Sequence, residues 1–278
     1  GIDTPLVYVQ GQGETIYKNY GTPEQKQIYP IQFPEGFIEE QAKIMLPVFA
    51  KAFFTQQWDE FCVVLADIIV PIFDEVRLDK NGEASDGSRI GWDWSPETLT
   101  DRKVNGKYQI DDYVYEYDWR LDPWYLADEL HEYIKAVKEV TGSEKVSLLG
   151  RCLGSSIVAA YMTKYNGEYI DEVIFYASAS HGAAMASKAF CGELYLEADG
   201  IERYVYDIRL FEEDYLQQLI ESLVTLLNKT YGLDIACWAV NNVYEDIYLN
   251  VMPPIMSQTF ATYPGYWSMV TEGDFEKA

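Results

Sequence analysis

The most chemically loaded stretch of the chain is Gly150-Arg151-Cys152-Leu153-Gly154. Lys145 to Leu149 (KVSLL) before it reads as a short buried strand, and Ser155 to Tyr165 (SSIVAAYMTKY) after it as a helix of mainly small residues. A nucleophile on a sharp strand-to-helix turn is held in strained backbone, with its side chain clear of the sheet edge and glycines on both sides relieving crowding. The amides and dipole at the N-terminus of the following helix favour a thiolate and then an oxyanion. The chemistry such an arrangement performs is acyl transfer through a thioester. A buried thiol beside a glycine turn is the plainer reading of the same residues.

An acyl-transfer site also needs amides that hold the developing oxyanion, one following the nucleophile and one from the loop after an early strand. Leu6 to Gln10 (LVYVQ) is such a strand, broken by Gly11-Gln12-Gly13, so the Leu153 and Gln12 amides are the expected pair. An ordinary strand exit would have the same glycines. Of the four cysteines, Cys62, Cys152, Cys191 and Cys237, none has the CxxC or Cys/His spacing of a structural zinc site, and no metal or cofactor is expected. They are numerous enough for one or two disulfides, which a chain this long does not need in order to fold. Asp79, Asn81, Glu83 and Asp86 are spaced somewhat like a calcium loop, but the glycine stands at the wrong offset.

These residues require a sheet to position them. Tyr113 to Tyr117 (YVYEY) is strand-like, Asp122-Pro123 opens a helix, and Leu126, Leu130, Tyr133, Ile134, Val137 and Val140 form its apolar stripe up to Thr141-Gly142. With KVSLL, the helix after the cysteine and Glu172 to Tyr176 (EVIFY), this is the strand-helix alternation of parallel crossovers, and the expected fold is α/β with a doubly wound, mostly parallel sheet. Two helix-like stretches interrupted at Pro47 fill Gly36 to Val76, Leu78 to Gly106 reads as a polar excursion, and Phe211 to Met256 is almost wholly helical. The expected organisation is a core over 1–185 with an excursion at about 36–106, a helical cap over 186–262, and a return toward the core over 263–278.

The stretch from Tyr113 to Tyr165, with Tyr117-Asp118-Trp119-Arg120 ahead of the helix, strand and cysteine turn, resembles the lecithin cholesterol acyltransferase and bacterial lipase-like group of α/β-hydrolases. Pro5 to Glu14 resembles that group's first strand and oxyanion loop, and Ser257 to Val270 the segment with which its cap returns. The resemblance implies an esterase or lipase-like hydrolase or an O-acyltransferase acting on a small-molecule acyl ester or lipid-like substrate, with Cys152 where the group has serine. The stretch from Val137 to Ser156 is also similar to the elbow of polyhydroxyalkanoate synthases, which use cysteine there. In the cap, Leu226, Leu227, Ile235 and Trp238 suit either an acyl chain or an ordinary core.

The base is the weak point. There are two histidines: His131 falls on the amphipathic helix, where a surface role is expected, and His181 follows EVIFY at the sheet edge where ligands bind. His181 is therefore expected as base or pocket residue, although nearer the cysteine in sequence than the family's base. Only Pro264 to Ala278 follow the cap, too few residues for further strands bearing an acid and a histidine. Either the polypeptide continues, or the triad is incomplete and the domain is a non-catalytic binding module. Asp234, Asp246 and Asp274 have no context that marks them as catalytic.

Charge and hydropathy narrow the partners. Across 278 residues, 45 acidic against 21 basic side chains give a net charge of −24, which excludes the basic footprint of a nucleic-acid binder. The longest apolar run, Phe61 to Phe73, is too short to cross a bilayer and contains Asp67 and Pro71. The chain opens on Gly1 rather than Met, which reads as a processed or engineered terminus and favours a secreted or cell-envelope location over a cytoplasmic one.

Overall fold

The computed structural model of the protein describes residues 2–193, 195–207 and 214–278. Strands β1 (Leu6–Val9), β2 (Ile16–Lys18) and β3 (Lys26–Tyr29) precede helices α1 (Phe37–Thr55) and α2 (Asp59–Phe73). Then come β4 (Arg89–Ile90), β5 (Tyr113–Tyr115), α3 (Pro123–Thr141), β6 (Val146–Arg151), α4 (Gly154–Tyr165) and β7 (Ile170–Tyr176). Helices α5 (Ala184–Cys191), α6 (Ala198–Asp207), α7 (Asp214–Lys229), α8 (Gly232–Asn250), α9 (Met252–Gln258) and α10 (Pro264–Trp267) follow. The protein is mixed α/β with about 49% helix. Its main sheet has the order β5-β1-β6-β7 and every pairing in it is parallel.

Local sequence explains the elements that carry the sheet. Val146, Ser147, Leu148 and Leu149 of β6 are all buried, as in a parallel strand covered on both faces. The Asp122 carboxylate accepts the Trp124 amide at 2.8 Å, a cap worth about 1 kcal/mol. Pro123 occupies the first turn of α3, and Gly142, at φ 65°, ends it in left-handed backbone. The stripe Leu126, Leu130, Tyr133, Ile134 and Val137 is buried. Helices α3 and α4 pack on each other, with Asp128 accepting from Lys164 at 2.8 Å and from the Tyr165 hydroxyl at 2.6 Å. β7 is the far edge of the sheet, where Ile174, Phe175 and Tyr176 are exposed.

Two features depart from expectation. Pro47 does not interrupt α1, which runs on to Thr55; the break falls at Gln56, whose φ of 57° leaves the right-handed helical region. A second, antiparallel sheet of order β3-β2-β4 was not legible in the polar early residues and in the excursion after Leu78. Its strands are only two to four residues long, too short to show an alternating pattern. The late region is helical as expected in α7 and α8, whereas Phe211 lies outside the described residues.

Contacts divide the chain into two compact units. One comprises Gly1–Glu35, Ile69–Cys191 and Ile255–Ala278 and holds both sheets. The other, Gly36–Ile68 with Gly192–Pro254, is helical, with a small core of Ala198, Val205, Val224, Leu233 and Cys237. Among the described residues no helix is long and apolar enough to cross a membrane.

Candidate functional site

Cys152 lies between the last residue of β6 and the first of α4, and its φ of 49° is left-handed, a region costly for any residue with a Cβ. The turn is held from both sides. The Cys152 amide donates to the Tyr176 carbonyl at 3.1 Å, and its carbonyl accepts the Ser155 amide at 3.1 Å, the Ala179 amide at 3.2 Å and the Ser155 hydroxyl. The cysteine side chain is exposed. Both elbow glycines are required by contact: a Cβ on Gly150 would lie 2.9 Å from the Ser155 Cα, and one on Gly154 only 2.2 Å from the Gln10 carbonyl oxygen. Helix α4 can approach β1 this closely only because residue 154 has no side chain.

The loop after β1 meets the cysteine. A Cβ on Gly11 would stand 3.1 Å from the Cys152 Cβ and 3.9 Å from its Sγ, so the glycine leaves the thiol its space. Gly13 makes no such contact: nothing lies within 4 Å of a Cβ built on it. Among the described residues neither the Gln12 nor the Leu153 amide donates to a protein acceptor; Gln12 is exposed and Leu153 is buried. The Gln12 side chain donates to the Tyr266 hydroxyl at 2.7 Å.

The Tyr117-Asp118-Trp119-Arg120 motif braces this loop. The Tyr117 hydroxyl donates to the Gln10 carbonyl at 2.8 Å and the Trp119 indole to the Glu14 carbonyl at 3.4 Å. Arg120, fully buried, pairs with Asp118 at 2.6 Å and also donates to the Val76 carbonyl and the Ser88 hydroxyl. A buried guanidinium is tolerated only when its donors are satisfied in this way. Sequence reasoning missed a carboxyl pair beside the loop. Burial first, then the charge of and hydrogen bond with Glu116, push Glu14 up to about 7, and burial likewise raises Glu116. The signal available was an acid directly behind a glycine turn, with no hint of its partner.

His181 is exposed on the loop after β7, which the Ala179 amide ties to the Cys152 carbonyl. Its Nδ1 lies 3.2 Å from the Ser180 hydroxyl, and among the described residues no hydrogen bond joins the Cys152 thiol to an imidazole. His131 is not a surface residue as expected: it is half-buried between α3 and α4, stacked on Tyr165 with ring centroids 4.0 Å apart. Asp274 accepts the Thr271 hydroxyl at 2.6 Å in a local turn. The calcium-like spacing has a structural use, since Asp79 accepts the Asn81 and Glu83 amides and Asp86 the Ser88 amide. Among the described residues no group of His, Cys, Asp and Glu is arranged to hold a metal ion, and no disulfide joins any of the four cysteines. Leu226, Leu227, Ile235 and Trp238 are exposed rather than core.

Comparison with known proteins found no matching family model, no matching curated protein and no matching solved structure.

Proposed function

We propose that the protein is an acyl-transfer enzyme of α/β-hydrolase type, an esterase or lipase-like hydrolase or an O-acyltransferase. Its sheet would be doubly wound in the hydrolase manner, with 186–262 as its helical insertion. The observation that carries this reading is an exposed cysteine in left-handed backbone between a parallel strand and a helix, with Gly11 against its Cβ. Structural cysteines are buried and inert, whereas strain is retained in backbone where it serves a site.

The Cys152 sulfur would attack the carbonyl carbon of a small or lipid-like ester as the thiol proton passes to a base, for which His181 is the available imidazole. The carbonyl electron pair moves onto oxygen, where the Gln12 and Leu153 amides donate to it. Collapse breaks the ester C–O bond, the alcohol leaves with the proton, and the thioester is cleaved by water or a second alcohol. The test is incubation with p-nitrophenyl butyrate, with peptide mass spectrometry for an acyl adduct. An adduct on Cys152, absent in C152A, is expected. Nitrophenol release unchanged in C152A, or a folded protein whose Cys152 resists both ester and iodoacetamide, overturns the reading.

A second reading, a hydrolase-fold binding module, is favoured by one observation: the thiol is hydrogen-bonded to no imidazole among the described residues. It predicts that C152S binds an apolar ester as the native chain does while neither turns it over.

A further inference from the structure

The loop after β7 reads Ser178-Ala179-Ser180-His181, and a row of hydroxyls joins it to the elbow. A serine hydroxyl has one proton and two lone pairs, so the direction of each bond in the row can be counted. A carbonyl only accepts, so the Ser155 hydroxyl commits its proton to the Cys152 oxygen. Its lone pairs then receive the Ala179 amide at 2.9 Å and the Ser178 hydroxyl at 2.9 Å. With its own proton given to Ser155, Ser178 Oγ can only accept, from the Ser180 amide at 3.2 Å and from the Ser180 hydroxyl at 2.8 Å. Ser180 has thereby used its proton. Its oxygen, 3.2 Å from His181 Nδ1, can only accept there.

We propose that the row Ser155, Ser178 and Ser180, polarised from the Cys152 carbonyl, holds His181 as the Nδ1–H tautomer and leaves the lone pair on Nε2. In Ser-His-Asp sites a carboxylate on Nδ1–H does this work. Here three positioning residues do it with neutral oxygens, and no late acid is needed to select the tautomer. The inference rests on the reading of Cys152 as nucleophile and His181 as base. In the proton step the Cys152 S–H bond breaks and an Nε2–H bond forms. The resulting imidazolium keeps its Nδ1–H on Ser180, and no proton moves along the row.

The test is a long-range proton–nitrogen correlation spectrum of the full chain labelled with 15N-histidine, at a pH where free imidazole is neutral and without substrate. The His181 signals are identified by their loss in H181Q. The expected result is an Nδ1–H to Nε2–H ratio about fivefold higher than in S180A, the bias that one net hydrogen bond supplies. S155A should return the ring toward the Nε2–H form that an exposed histidine favours, and S155T should restore Nδ1–H. S180A, on the half-buried end of the row, should give the same loss of bias even where S155A does not fold. An Nε2–H ring in the native chain, or ring shifts unchanged in S180A, overturns the proposal. Acylation of Cys152 is scored separately: an acylated Cys152 with an Nε2–H ring removes the row alone. An Nδ1–H ring with no acylation removes the nucleophile and leaves the row.

Discussion

Replacing Cys152 by glycine should stabilise the protein relative to replacing it by alanine. Both changes delete the same exposed thiol, so burial and thiol chemistry cancel in the comparison and the backbone remains. At φ 49° a residue with a Cβ bears about 1–2 kcal/mol of crowding that glycine does not. The turn cannot relax this by rotating, because the Cys152 carbonyl is held by the Ser155 and Ala179 amides at 3.1 and 3.2 Å and its amide by Tyr176. Against the release stands the larger freedom of glycine in the unfolded chain, about 0.5–1 kcal/mol. The balance is about 0.5–1 kcal/mol in favour of C152G over C152A, or about 1–4 °C in Tm for a chain of this size. Urea unfolding of the two variants, with equal slopes, measures it directly. Should C152A prove as stable as C152G or more so, the elbow is not strained, and the main physical argument for a displayed nucleophile is lost.

Two other outcomes test the surroundings of the site. Gly154→Ala places a Cβ 2.2 Å from the Gln10 carbonyl oxygen and should cost about 3 kcal/mol, since backbone must move, whereas Gly13→Ala, with nothing within 4 Å, should gain about 0.5 kcal/mol; equal effects in thermal unfolding would contradict the close approach of α4 to β1. Glu14, raised from 4.5 to about 7 chiefly by burial, binds its proton more tightly in the folded chain than in the unfolded one. Stability should therefore fall as pH rises from 4.5 to 7 and then level off. Glu14→Gln should flatten that fall and exceed the native chain by about 1 kcal/mol at pH 8, after allowance for solvent screening; denaturation midpoints at pH 5 and pH 8 that move in parallel in both proteins would refute the carboxyl pair.

The parallel sheet could be read in advance because its parts are locally specified. Asp122 before Pro123, the stripe from Leu126 to Val137 and Gly142 mark one helix completely, and the apolar run of β6 can hardly be anything but a buried strand. Chemistry was legible for the same reason at Gly150 to Gly154, where sequence neighbours are also spatial neighbours. The antiparallel sheet was not, since two- to four-residue strands are made by their pairing rather than by their own pattern. Pro47 misled because a helix continues past a proline when the rest of its turns remain satisfied.

What the sequence determined by itself is the set of elements that nearest-neighbour forces dictate: capped helices, buried strands and a cysteine between two glycines. Tertiary structure alone decided that Gly11 stands against Cys152, that buried Arg120 donates to Val76 and Ser88, that Glu14 is raised by burial and by Glu116, and that serines of α4 and of the loop after β7 meet. Each of these contacts joins groups with no local preference for one another. The first and last exist because parallel pairing brings the ends of β1, β6 and β7 to one edge, where loops distant in sequence compete for the same space and the same hydrogen bonds.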